Sequence, residues 1–599
     1  MSEMRRTTPR DVPGWPIAVV GLLAFLVGGS GCRKAVSFDV GEVPVPAPLV
    51  TAAKLDSGDP RAAFAAPSPE QADDPDFWLS VARAAELGLG EAFGAGGDGA
   101  GVSDATLHHL AVQRYALARW LKQSPDRLTR SDVGDRSSRF RVWIEPPDAP
   151  AGVLDPARFD RLIPAAAVRL RGMQHRFRRE GFGLPLVGVM ETTEATLRVT
   201  PNLPPEGLFL PVTLTVDFED LSDGTTEARL ALLDPDRVRA VHKFGVPFQL
   251  SVDTTAPIAM LFAETQLQHE ANVGLWDPTR TESRTGIYLH EPFVADKTPV
   301  LFIHGLWSSP LTWRDMLNTL RADPVLARHY QFWMFLYPTG MPVPRSSAFL
   351  RGHLAALRAH YESDPEAAAG VAAEDLVVVG HSMGGLLTKT LVQGGGETIW
   401  HAFHPEPFET IDAPPGVRER LTEAFFYEPD ARASRAVFIA TPHGGSTLAD
   451  SWFSVLGRSQ IEPPAILADV DAWIDEERRR LRGRGYDRDR YRVLRGLPTS
   501  IDNLSPRCSY LDAYNRIPIP DRVPYHSIIA EQRDLSNPTS DGVVPFESAR
   551  LDGAASELVV RSGHGAVANP QAIEEVRRIL HEHLAQRRAA ETATQQTAP

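Results

Sequence analysis

Leu376-Val377-Val378-Val379 runs without a polar break into Gly380-His381-Ser382-Met383-Gly384-Gly385, and the chain leaves that turn as the apolar stretch Leu386 to Val392. This pattern drives a strand through a sharp turn into a helix. Gly380 and Gly384 stand two residues before and two after Ser382, and small residues there let the backbone fold tightly enough to project a hydroxyl. Such a turn needs a buried strand in front and a packed helix behind, and the flanking sequence supplies more of both. Val300-Leu301-Phe302-Ile303, Phe332 to Leu336, Ala436 to Ile439, His526 to Ile529 and Leu558-Val559-Val560 are short apolar runs separated by helical stretches. Strands buried on both faces read this way. Their alternation with helices predicts an α/β fold, a mostly parallel sheet covered on both sides.

The ends of these strands carry the residue types of acyl chemistry. Ser382 is the candidate nucleophile. A tetrahedral oxyanion needs two preorganised N–H donors, one from the residue after the nucleophile and one from the loop after an earlier strand. Met383 is the first candidate. The strand at Val300 to Ile303 ends in His304-Gly305-Leu306-Trp307, and the glycine lets the loop turn the Leu306 N–H toward the site, which makes Leu306 the second. An imidazole must take the serine proton and a carboxylate must fix its tautomer. His564, in Ser562-Gly563-His564-Gly565, and Asp541, in Ser540-Asp541-Gly542-Val543-Val544-Pro545, follow Ser382 in the order acid then histidine. Glu531 and Asp534 share the acid's loop and compete with Asp541. His526 lies inside a strand and reads as a core residue, while His443, in Thr441-Pro442-His443-Gly444-Gly445, stands at another strand end as a candidate pocket residue.

Together the His304-Gly305-Leu306 loop, the Gly380 to Gly384 turn, Thr441-Pro442-His443-Gly444, Ser540 to Pro545 and Gly563-His564 resemble the α/β-hydrolase superfamily in its bacterial lipase and esterase branch. The resemblance spans the chain from Thr298 to about residue 590. It implies a Ser-His-Asp triad, an acyl-enzyme intermediate and an ester or lipid substrate. Bacterial lipases often carry a calcium site, but no ligand set matches here, so neither a metal nor another cofactor is expected. The same triad could pass an acyl group to an alcohol, making an acyltransferase the alternative enzyme. A surface lipoprotein with a vestigial hydrolase domain is the alternative of a different class.

With 599 residues, 43% hydrophobic and 23% charged, the chain has the composition of a globular protein and the length of two domains. Its net charge of −14 provides no positive field for nucleic acid. Arg5, Arg6 and Arg10 precede an apolar run, Ile17 to Val27, and then Gly28-Gly29-Ser30-Gly31-Cys32. The run is too short to span a bilayer and reads as a signal peptide over 1–31. Cys32 after small residues resembles a bacterial lipidation site, although Gly29 replaces the large aliphatic residue expected there. The expectation is an exported lipoprotein held at a bacterial membrane, against a plain secreted protein or an uncleaved anchor. Cys508 is the only other cysteine and reads as a buried small hydrophobe.

The remaining organisation is expected as a flexible tether over 32–70, a helical and β-rich module over 71–285, the α/β domain over 286–590 and a disordered tail over 591–599. Within the module, Asp76 to Glu91 and Leu107 to Leu121 read as helices. Val212, Leu214, Val216 and Phe218 alternate as a strand, as do Phe248, Leu250 and Val252. An insertion over 447–522 carries Ile466, Val470, Trp473 and Ile474 at helical spacing, then an Arg-rich run. It reads as a lid over the acyl pocket or as a helical decoration, with direct membrane binding by the Arg-rich run as a third reading. Trp307 and Trp313 either line that pocket or belong to the core.

Overall fold

Apolar residues at helical spacing pair the first two long helices. In α1 (Pro75–Gly94), Trp78, Leu79, Ala82 and Ala85 are buried in one cluster with Val112, Ala116, Leu117 and Trp120 of α2 (Asp104–Gln123). Leu184, Leu214 and Val216 of a five-stranded sheet complete that cluster. The sheet holds β1 (Phe140–Ile144), β2 (Arg161–Pro164), β3 (Leu184–Met190), β4 (Leu208–Asp220) and β5 (Thr226–Leu233), in the order β1-β5-β4-β3-β2. Only β1 and β5 run parallel. The computed structural model describes residues 36–45, 67–94, 104–123, 140–145, 152–265, 267–363, 375–446, 464–486, 491, 493, 497–533, 535 and 539–597. The expected signal peptide, Cys32 and Asp534 lie outside the described residues.

Two short helices link this module to the second sheet. α3 (Thr255–Glu264) is buried from Thr255 to Phe262. Ala256, Met260 and Leu261 join the β3 and β4 side chains Val187, Val189 and Phe209, whereas Ile258, Ala259 and Phe262 join the core of the second sheet. A helix apolar all round belongs between two cores. α4 (Leu267–Trp276) follows it.

The second sheet has seven strands: β6 (Gly286–Leu289), β7 (Thr298–Ile303), β8 (Tyr330–Leu336), β9 (Leu376–His381), β10 (Ala433–Ile439), β11 (Tyr525–Glu531) and β12 (Ser556–Arg561). Their order is β6-β8-β7-β9-β10-β11-β12, all parallel except the edge strand β6. The continuous apolar runs follow from burial on two faces. Leu301 and Ile303 pack with Leu350, Leu354 and Leu357 of α5 (Val343–Glu362) and with Leu386 and Leu387 of α6 (Met383–Val392). Val300 and Phe302 pack on the other face with Val576, Ile579 and Leu580 of the C-terminal helix, Pro570–Thr597. Each such side chain contributes roughly 1.5–3 kcal/mol on burial. The chain leaves β7 to β8 on one side and reaches β9 on the other, and the crevice at the carboxyl ends of strands at such a switch point is where open α/β sheets bind ligands.

Two expectations are corrected. The segment read as a tether holds a strand, Ser37–Val40, paired antiparallel with Val168–Arg171. Val36 is buried among Ile258 and Phe262, so a short period-2 pattern ahead of the proline-rich run is enough to dock it. The residues read as a disordered tail continue the C-terminal helix to Thr597. Ala, Glu and Gln there are good helix formers, and Arg587 pairs with Glu591 one turn on.

In the insertion, α8 (Ala468–Gly483) buries Val470, Trp473 and Ile474 as their spacing predicts. It packs against α7 (Glu397–Phe403) and the residue that follows it: His404 lies between the rings of Trp400 and Trp473, and its Nε2 donates to the buried Glu477 carboxylate at 2.8 Å. Part of the Arg-rich run is consumed in this seat. Arg480 bridges Glu477 and Glu406, and Arg484 reaches Glu406 at 2.7 Å.

Candidate active site

Ser382 closes β9 and opens α6 with φ 54° and ψ −125°, a conformation that L residues rarely adopt. Its N–H donates to Ile439 O at 2.9 Å and its carbonyl accepts from Gly385 N–H at 2.9 Å, so the turn is held from both sides. Strain of this kind costs on the order of 1–3 kcal/mol and persists only where the surroundings enforce it. Close approach explains the glycines. A Cβ at residue 384 would lie 2.2 Å from Ile303 O, and one at residue 305 would lie 2.8 Å from Ser382 Cβ. The loop His304-Gly305-Leu306 therefore passes directly beside the serine. The Met383 N–H opens α6, where the first N–H groups of a helix have no intrahelical acceptor.

The structure brings Ser382, His564 and Asp541 into one hydrogen-bonded row. Ser382 Oγ lies 2.8 Å from His564 Nε2, and His564 Nδ1 lies 2.7 Å from Asp541 Oδ2. With a carboxylate on Nδ1, the neutral ring carries its proton there and leaves Nε2 to accept from the hydroxyl. Asp541 Oδ1 accepts from the N–H groups of Val543 at 2.8 Å and Val544 at 2.7 Å. Burial raises the Asp541 pKa, but the His564 partner and these two N–H donors outweigh it and hold the carboxyl below its usual range. Ser382 is 5% exposed and Asp541 3%, so the row is largely shielded from water, where each of its interactions is stronger.

The competing residues take other places. Glu531 is buried, and its carboxylate accepts from the backbone N–H groups of Arg533 at 2.7 Å and Ser540 at 2.9 Å, so it shapes the loop that presents Asp541. His526 accepts from Arg435 at 2.7 Å on Nε2 and pairs with Ser556 Oγ on Nδ1 within the sheet. His443 is buried against Phe438, with the Asn515 amide donating to its carbonyl at 2.9 Å. Trp313 packs in the core against Phe302. Trp307 is half-buried in the loop beside the serine. One contributor passed unassigned in the sequence: His381 Nε2 donates to the His564 carbonyl at 2.8 Å and so holds the backbone that carries the imidazole. Its position next to Ser382 was the only signal. Among the described residues no group of three or more His, Cys, Asp or Glu side chains is placed to hold a metal ion.

The family model described as the alpha/beta hydrolase family matches residues 300–578. This segment has the α/β-hydrolase fold. Solved structures similar to it include the mature lipase BlEst2 of Bacillus licheniformis, 15% identical, with 49% of this chain and 97% of that one covered and a TM-score of 0.29. A metagenomic carboxyl esterase is 16% identical over 48% of this chain and 77% of its own, with a TM-score of 0.27. The butyrate-bound esterase Est2 of Thermogutta terrifontis is 16% identical over 49% and 88%, with a TM-score of 0.26. Identities and TM-scores this low carry no information on substrate. No curated protein matches the chain in sequence.

Buried histidines in the hydrolase domain make stability depend on pH. Burial pushes His304, His526 and His583 from 6.5 down to about 4. A base whose folded pKa lies below its unfolded value takes up a proton on unfolding, so stability is lost as the pH falls from about 6.5 toward about 4. Urea titrations should therefore show a loss of at least about 2 kcal/mol between pH 7.5 and pH 5.5. Coincident midpoints at the two pH values would contradict this.

Proposed function

We propose that the protein cleaves carboxylic esters through an acyl-enzyme on Ser382. Ser382 Oγ attacks the ester carbonyl as His564 Nε2 takes its proton, and the N–H groups of Leu306 and Met383 hold the developing oxyanion. The intermediate collapses, the alcohol leaves with the proton from His564, and a water activated by the same imidazole releases the carboxylic acid. Asp541 keeps the tautomer and stabilises the imidazolium. The observation that carries this proposal is the unbroken row from Ser382 Oγ through His564 to Asp541, with links of 2.8 and 2.7 Å. It also weighs against a vestigial domain.

Product analysis on chromogenic esters of short and long acyl chains, with and without an added alcohol, tests the reaction. Free carboxylic acid should be the main product under both conditions. Acyl transfer to the alcohol in place of acid release would make the protein an acyltransferase, and no turnover of any ester would sink the proposal.

The export reading of the N-terminus is likewise a proposal. A diacylated or triacylated Cys32 would hold the enzyme at a membrane, since each buried methylene contributes about 0.8 kcal/mol. A Cys32→Ser variant should move to the soluble fraction. If that variant stays with the membrane after its signal segment is cleaved, the anchor lies elsewhere.

A further inference from the structure

The loop proposed to hold the oxyanion is clamped by a helix that precedes the hydrolase domain in the chain. Trp307 follows Leu306 and sits at φ 52°, a left-handed conformation that a bulky side chain adopts only when held there. It is held at both ends. Its backbone N–H donates to Thr339 Oγ1 at 3.2 Å, and its indole N–H donates to Asn272 Oδ1 at 2.8 Å. Asn272 belongs to α4.

The same helix also fixes the segment that carries Thr339. Gly274 O accepts from Gly340 N–H at 2.9 Å. Helix and loop are so close that a Cβ at residue 340 would lie 2.2 Å from Leu275 O. Upstream in the same segment, the Tyr337 hydroxyl donates to His304 O at 2.7 Å with its ring stacked on the His304 imidazole. α4 is itself seated by the buried Leu267, Ala271 and Leu275 and by the Glu270 ion pair with Arg284, which also reaches Glu206 at 3.1 Å. A continuous set of contacts thus runs from α4 to both backbone segments flanking Gly305 and Leu306.

We infer that Asn272 and Thr339 are positioning residues for the oxyanion-binding loop: by holding Trp307 left-handed they aim the preceding Leu306 N–H at the reacting carbonyl. The inference rests on the serine-hydrolase proposal and extends it to residues outside the triad and its motifs. It makes α4, outside the segment that matches the hydrolase family, part of the machinery.

The test uses the full chain, an ester substrate and a fluorophosphonate whose reaction with Ser382 needs the same oxyanion donors. Asn272→Leu should lower kcat about threefold to tenfold, as expected for one exposed hydrogen bond, with KM little changed. Thr339→Val should lower kcat about tenfold to hundredfold, because it leaves the Trp307 N–H without an acceptor. Fluorophosphonate labelling should slow in parallel. Asn272→Asp and Thr339→Ser, which keep the acceptor oxygens, should recover most of the loss, whereas a merely structural role would show as a lower thermal midpoint with kcat preserved below it. Labelling of the wild type together with an unchanged kcat in Asn272→Leu and Thr339→Val overturns the inference alone. Failure of the wild type to label overturns the serine reading and the inference with it.

Discussion

Ser382→Ala should lower kcat for ester cleavage by about six orders of magnitude while leaving the fold intact. The hydroxyl is the only group on the turn that can form the acyl bond, and His564 Nε2 would then face a methyl group. Removing the Oγ costs His564 Nε2 one hydrogen bond, while the bond from Nδ1 to Asp541 at 2.7 Å still holds the ring in place. The backbone at φ 54° is enforced by the flanking hydrogen bonds to Ile439 and Gly385 and not by the side chain. The variant should therefore melt at the wild-type temperature. Residual cleavage within about tenfold of wild type would mean that another nucleophile does the work.

Asp541→Asn should lower kcat by about four orders of magnitude through the tautomer of His564. The replacement is nearly isosteric, and its amide oxygen can still accept from the N–H groups of Val543 and Val544, which bind Asp541 Oδ1 at 2.8 and 2.7 Å. The amide nitrogen then faces His564 Nδ1. An N–H donor there makes Nδ1 the acceptor, which moves the ring proton to Nε2 and turns the base away from the serine proton. KM should change little, because the substituted atom does not face the substrate. Parallel losses in kcat and in thermal midpoint would assign Asp541 a structural role only.

The hydrolase domain was legible where its chemistry is local. Turn, strand and helix around Ser382 lie within one continuous stretch, and the glycines beside it are demanded by approaches as close as 2.2 Å. The order of Asp541 and His564 along the chain follows the strand order, which the apolar runs revealed one by one. Four-residue β6 offered too little pattern to separate from a loop. α3 was hidden for the opposite reason: with every residue from Thr255 to Phe262 buried, it has no amphipathic period to read.

Distance in sequence hid the rest. Glu531 competes with Asp541 in the sequence because both stand in one loop, and the structure separates them, since Glu531 spends its carboxylate on the backbone of Arg533 and Ser540. Leu267, Ala271 and Leu275 do repeat at helical spacing, so α4 itself left a trace. The partnership of Asn272 with Trp307 did not. It joins residues 35 positions apart across a fold boundary, and no spacing rule connects an exposed asparagine to a loop that follows a different strand.

Covalent labelling of the purified full-length protein with a fluorophosphonate, followed by peptide mapping, tests the central claim most directly. One adduct should form, on Ser382, and its formation should disappear in Ser382→Ala and slow by orders of magnitude when His564 is replaced by Ala. An unlabelled protein, or an adduct on any other residue with ester cleavage intact, would contradict it.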